Sequence, residues 1–155
     1  MKTTRRLVVL VGLPGSGKST YVAGLGATAL SSDEIRRWLA DDATDQAINR
    51  EVFATLRYLV RRRLALGREV TYIDATNLTP RERQPYIRLA RTFGCAAEAL
   101  FFDVPLEVCM ERNRSRDRVV PDEAMYKLAA RLVPPSPDEG FDRIAVISDG
   151  SAGLR

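Results

Sequence analysis

The stretch Gly12-Leu13-Pro14-Gly15-Ser16-Gly17-Lys18-Ser19-Thr20 constrains this chain more than any other. Its spacing is G-x-x-x-x-G-K-S, and the β-prone run Leu7-Val8-Val9-Leu10-Val11 leads straight into it. A strand, a glycine-rich turn and then a helix make the phosphate-binding P-loop. Glycines let the backbone turn tightly and bring consecutive N–H groups close to a phosphate chain with no Cβ in the way. The helix that follows points its positive end at the same phosphates. Lys18 is expected to reach the β- and γ-phosphates of ATP or another nucleoside triphosphate, and the Ser19 hydroxyl to be a hard oxygen ligand for Mg²⁺. Gly12, Pro14, Gly15, Ser16, Gly17 and Thr20 complete the cradle for the donor.

The rest of the composition narrows what can accompany such a loop. At 155 residues the chain is expected to be one domain, residues 1–155, with 45% apolar and 28% charged residues. No apolar run approaches the ~20 residues needed to span a bilayer, so no membrane is expected. The arginines before Leu7 suggest an export signal, but the apolar run ends in glycines and offers no cleavage site. Cys95 and Cys109 have neither disulfide-framework nor metal-ligand spacing, so no disulfide partner is expected and a cytoplasmic location is. The chain has no histidine, which excludes imidazole acid–base catalysis and zinc chemistry and leaves carboxylates as candidate bases. Its net charge is +4, carried almost wholly by arginine, which permits a polyanionic partner without requiring one.

Along the chain, strands and helices alternate. Strands are expected over about Arg6–Val11, Ala27–Ser31, Glu69–Ile73, Cys95–Phe102 and Arg143–Ile147. Helices are expected over Gly17–Leu25, from Ser32 until Asp41 and Asp42, and over Thr44–Leu66 with Ala47, Ile48, Val52 and Phe53 in its apolar period. Further helices follow over Thr79–Phe93, from Pro105, and from Pro121 to about Val133. The pattern implies an α/β, three-layer P-loop NTPase/kinase fold: a five-stranded parallel sheet in the order 2-3-1-4-5 with helices on both faces. Ligands of such sheets bind outside the carboxyl ends of the strands, where four of these loops converge.

Several residues in those loops suit phosphoryl transfer. Asp33 follows strand two, where a carboxylate can orient an attacking hydroxyl and accept its proton; the competing role is an N-cap. Arg36, one turn on, can grip a phosphate already present on the acceptor. Asp74 ends strand three, where it either serves Mg²⁺, directly or through water, or holds Lys18 or Ser19. Asn77 either touches the acceptor or caps the helix at Thr79. Arg112, Arg114, Arg116 and Arg118 form an arginine-rich lid, about residues 112–133, able to neutralise charge on a transferring phosphoryl group. Arg112 and Arg116 share one face at i,i+4, Arg114 and Arg118 another. Arg57, Arg61, Arg62 and Arg63 read as a solvated helix face without a role.

Taken together, the P-loop, Ser32-Asp33-Glu34-Ile35-Arg36, Asp74-Ala75-Thr76-Asn77, Arg112-Asn113-Arg114-Ser115-Arg116, Val119-Val120-Pro121, Met125-Tyr126 and Glu139-Gly140-Phe141-Asp142 are similar to a known group. The chain resembles the kinase domain of phage-type polynucleotide 5′-hydroxyl kinases, within the small P-loop kinases. The resemblance implies an ATP-dependent kinase of 5′-hydroxyl ends of DNA or RNA, with Mg²⁺. It makes Asp33 the general base, Arg36 the ligand of the acceptor's 3′-phosphate, Arg116 the lid arginine on the donor phosphates, and Arg112 a neighbour of the nucleotide. The chain departs from the best-known members in that its 155 residues are not expected to hold their phosphatase or ligase domains, whose steps would fall to partners. The alternatives are a kinase of a small hydroxyl compound (a sugar, nucleoside or antibiotic) and a non-enzymatic nucleotide switch.

Overall fold

The apolar run ahead of the glycines forms strand β1, Arg6–Val11, whose residues from Leu7 onward are all buried. The computed structural model describes residues 5–116 and 119–148. After β1 come helix α1 (Lys18–Gly24), strand β2 (Ala29–Ser31) and helices α2 (Ser32–Ala40) and α3 (Asn49–Ala65). Strand β3 (Val70–Asp74), helix α4 (Pro80–Thr92) and strand β4 (Ala96–Asp103) follow. Helices α5 (Leu106–Arg114) and α6 (Asp122–Arg131), a 3₁₀ turn (Pro137–Glu139) and strand β5 (Arg143–Ser148) complete the order.

The sheet is parallel throughout and ordered β2-β3-β1-β4-β5. This is the expected P-loop kinase fold. β1 sits at the centre because its side chains are apolar on both faces, as a strand covered from two sides requires. Leu7, Val9 and Val11 pack with Val52, Leu56, Val60 and Leu64 of α3 and with Ile87 and Ala90 of α4. Val8 and Leu10 face the other way, toward Val22 of α1, Phe102 and Ile147. A third cluster joins Leu13 of the glycine loop to Cys109 and Met110 of α5 and Met125 of α6. The last two helices therefore pack against the loop itself.

Two boundaries differ from the sequence expectation. α3 begins at Asn49 rather than Thr44, because short polar side chains capture the backbone first. Asp42 Oδ1 accepts from the amide and hydroxyl of Thr44 at 2.9 and 2.6 Å, and Asp45 Oδ1 accepts from the Ala47 amide at 2.9 Å. Ala47 is consequently exposed and outside the helix. β2 is shorter than expected, starting at Ala29, because the Ala27 amide closes α1 by donating to the Val22 carbonyl.

One buried pair ties the layers together. Arg83 of α4 is fully buried, and its guanidinium meets both carboxylate oxygens of Glu139 at 2.8 Å. Its Nη1 also donates to the carbonyls of Asn77 and Val133, at 2.9 and 3.0 Å. Glu139 in turn accepts from the Ser136 amide, which closes the 3₁₀ turn onto α4.

Candidate active site

The glycine loop wraps tightly because two of its residues have positive φ: Gly15 at 84° and Gly17 at 98°. Gly15 is also pressed against α5, where an added Cβ would lie 2.4 Å from the Cys109 carbonyl oxygen. Lys18, at the first position of α1, turns its ammonium back over the loop and donates to the Gly12 and Leu13 carbonyls, both at 2.9 Å. Its pKa is lowered to about 8, chiefly by burial, with the Asp74 charge opposing the shift and the Arg116 charge adding to it. Beside it, the Ser19 hydroxyl donates to Asp74 Oδ2 at 2.5 Å. The structure thus shows Asp74 holding Ser19, which sets both oxygens side by side. β3 lies next to β1 in the sheet, so its last residue falls beside the start of α1.

The opposite wall comes from α2. Its N-cap is Ser31, whose hydroxyl accepts from the Glu34 amide at 3.2 Å. Asp33 is therefore not consumed as the cap. Its carboxylate lies 4.0 Å from the Arg116 guanidinium, across the mouth of the crevice. Arg116 Nη1 is a buried nitrogen without a hydrogen-bond partner among the described residues. Arg36 is 4% exposed, and its Nη1 donates to the Asp45 carbonyl at 3.0 Å and to Asn49 Oδ1 at 2.5 Å.

These groups line one crevice of about 670 Å³. Pro14, Gly15, Gly17, Lys18, Ser19 and Thr20 of the loop line it together with Asp33, Arg36, Asp74, Arg112 and Arg116. Asn49 and Phe53 of α3 and Lys127 and Arg131 of α6 line the same crevice. Gly12 and Ser16 lie beneath the loop, buried rather than lining it, with Gly12 leaving the space into which the Ser16 hydroxyl projects.

Two sequence expectations acquire a different physical basis. Arg112 and Arg116 both reach the crevice, but α5 ends at Arg114, so Arg116 gets there from beyond the helix end rather than along a shared face. Arg114 instead points to Asp122, at 3.6 Å; Asp117 and Arg118 lie outside the described residues. Asn77 is not brought into the crevice. It is 3% exposed, at φ 48°, and its side-chain amide donates to the Leu10 and Ala75 carbonyls at 2.7 and 3.3 Å. Nor does it cap α4, whose N-cap is Thr79. Its position is architectural: it joins the exit of β3 to β1.

Asn113 is the residue that motif reading passes over. It is fully buried at the last turn of α5, donates to the Val120 carbonyl at 2.6 Å and accepts from the Val120 amide at 3.0 Å. That two-way bond pins both ends of the segment bearing Arg116. The only sequence signal was an amide residue with capacity to donate and accept, set between arginines.

Mg²⁺ fits the donor set at Ser19 and Asp74. Among the described residues there is no cluster of three or more metal-binding side chains. Mg²⁺ needs none, because it takes one or two protein oxygens and completes its shell with water and phosphate oxygens. Among the same residues, no helix is long and apolar enough to cross a membrane, and Cys95 and Cys109 are buried free thiols.

Comparison with known proteins agrees on the scaffold and spreads over acceptors. A mouse (Mus musculus) L-seryl-tRNA(Sec) kinase is 33% identical over 71 residues, 45% of this chain but 20% of that protein. The matched stretch thus spans about a fifth of that relative's length. Among solved structures, a chain of the Pnkp1/Rnl/Hen1 RNA repair complex superposes with a TM-score of 0.72 at 24% identity, over 85% of this chain and 45% of that one. An unliganded sugar kinase from Janibacter sp. HTCC2649 gives 0.65 at 22% identity, over 93% and 85% of the two chains. Residues 7–135 match the AAA domain family, AAA_33, across the whole span from β1 past α6; the chain belongs to that family, with the fold of a P-loop kinase.

Proposed function

We propose that the protein is an ATP-dependent phosphotransferase that phosphorylates the 5′-hydroxyl end of DNA or RNA. The observation that carries this reading is the Asp33 carboxylate, 4.0 Å from Arg116 on a helix capped by Ser31, in a crevice that also holds Lys18 and Arg36. A triphosphate laid over the loop from Gly12 to Thr20 exchanges the Lys18 ammonium's two carbonyl partners for β- and γ-phosphate oxygens. Ser19 and Asp74 would hold Mg²⁺, which when bound supplies positive charge across those oxygens. Asp33 orients the acceptor hydroxyl and takes its proton as the oxygen–γ-phosphorus bond forms and the bond to the β-phosphate oxygen breaks, releasing ADP. Arg116 and Arg112, on the lid, offset the charge on the phosphoryl group in flight.

In the same crevice Arg36, held by Asp45 and Asn49, sets a positive charge toward a phosphate on the acceptor, and Phe53 adds an aromatic side chain to the lining. Both suit a nucleotide better than a sugar. The similarity to a sugar kinase keeps a small hydroxyl compound as the competing acceptor. Labelling from γ-labelled ATP, with 5′-hydroxyl oligonucleotides beside a panel of small alcohols, separates the two. Label entering only the alcohols rejects the nucleic-acid reading. Asp33→Ala is expected to lower transfer by about 10²–10⁴-fold with nucleotide binding retained. Loss of ATP binding in that variant would sink the role given to Asp33.

A further inference from the structure

Charge is distributed very unevenly over this molecule. α3 and α4 carry nine arginines against two glutamates, a net +7 in a chain whose whole charge is +4, so everything outside these two helices is net negative. Two of the nine are spent inward. Arg83 pairs with Glu139, and Arg63 donates to Thr71 and to the Val70 carbonyl. The other seven, Arg50, Arg57, Arg61, Arg62, Arg81, Arg88 and Arg91, are exposed. None of the seven forms an ion pair with a carboxylate among the described residues.

On α3 the arginines are ordered. The buried stripe is Val52, Leu56, Val60 and Leu64, so at 3.6 residues per turn Arg50, Arg57, Arg61 and Arg62 flank the opposite face, with Tyr58 at its centre, 60% exposed. Glu51 is the single acid on that helix, and Glu82 of α4 is held by Arg131 at 3.0 Å. The same helix starts inside the crevice, where Asn49 receives Arg36 and Phe53 forms part of the wall. From Arg50 to Arg61 the helix rises about 16 Å, the axial length of roughly five nucleotides of a B-form strand.

We infer that the exposed arginine face of α3, continued by α4, is a docking track for the phosphate backbone of the polynucleotide whose end enters the crevice. The inference rests on the polynucleotide reading of the acceptor and adds where the body of that acceptor lies. Arginines without carboxylate partners contribute affinity by displacing counterions from phosphates, and Tyr58 offers a ring to an unstacked base.

The test compares wild type with Arg57→Ala/Arg61→Ala, and with Arg143→Ala, an exposed arginine on β5, as the control for loss of positive charge. Binding of a 5′-hydroxyl dodecanucleotide and of a trinucleotide is followed by fluorescence anisotropy over a range of salt, with transfer assayed in parallel. The double variant is expected to bind the dodecanucleotide roughly tenfold more weakly, and its log K against log salt slope is expected to flatten by about 0.7 for each lost phosphate contact. The trinucleotide, too short to reach the track, should lose far less, and the control should leave the length preference in place. Unaltered dodecanucleotide binding by the double variant overturns the track, while continued 5′-end labelling leaves the acceptor reading standing. Displacement of the dodecanucleotide by polyglutamate at equal charge would mark the face as a dock for acidic protein and overturn the track as well. If no oligonucleotide of either length binds or is labelled, the acceptor reading itself fails.

Discussion

Burial holds the Lys18 ammonium against the carbonyls of Gly12 and Leu13 and brings its pKa down to about 8. A triphosphate placed beside it adds negative charge and moves that pKa back up. Below about pH 8 the lysine is charged in both states and binding moves no proton; above it, binding must take one up, so affinity falls as pH rises. Calorimetry in buffers of different ionisation enthalpy is expected to show proton uptake at about pH 9 and none at about pH 6.5. Zero uptake at both would contradict the placement of Lys18 on the phosphates. Motif spacing was enough to gather Lys18, Ser19, Asp33 and Asp74 around one crevice, because each sits a fixed few residues from a strand end. It could not foretell the Arg83–Glu139 pair, whose members are 56 residues apart and become partners only when the chain closes. Asn77 misled for a related reason: an amide near a site has several available partners, and here the Leu10 carbonyl of the neighbouring strand takes it.

α5 is the element on which donor loop and lid both depend. Its Cys109 carbonyl lies against Gly15, and its Asn113 clasps Val120 on the far side of Arg116. Asn113→Ala leaves the buried amide and carbonyl of Val120 without their partner, at a cost of about 1–3 kcal/mol. The expected outcome is faster hydrogen exchange at the Val120 amide and lower transfer, because Arg116 is no longer held toward Asp33. Unchanged exchange there would show that the clasp is not what orders the segment. Helix boundaries were legible where a cap stood in the sequence, as at Ser31 and Thr79. They were not legible at α3, where the apolar period began before Asn49 but Asp42 and Asp45 had already committed the backbone to turns.

At the scale of the whole molecule, alternation of apolar strands with amphipathic helices was enough to give a parallel sheet. Which strands become neighbours is not written in any local stretch, and the order came from the P-loop and its likeness to known kinases. The electrostatic asymmetry was hidden for the same reason. A net charge of +4 averages a strongly basic helical layer with an acidic remainder, and only the fold separates them.

The central place of β1 has a consequence for how the protein is made. Arg6 pairs in register with Val70 on one side and with Ala96 on the other. Once made, β1 therefore waits for some sixty residues before it has one neighbour and about ninety before it has both. Until then Leu7 to Val11 is an uncharged, β-prone segment with two open edges, the kind that self-associates. Chains stopped after Gly94 are expected to pellet, and chains extended through Asp103 to gain solubility, as read by the soluble fraction in cell-free translation. Equal solubility of the two lengths would mean that β1 is protected by something other than β4. The strand that presents the phosphate loop is thus made before both of its neighbours and stays open until the second of them arrives.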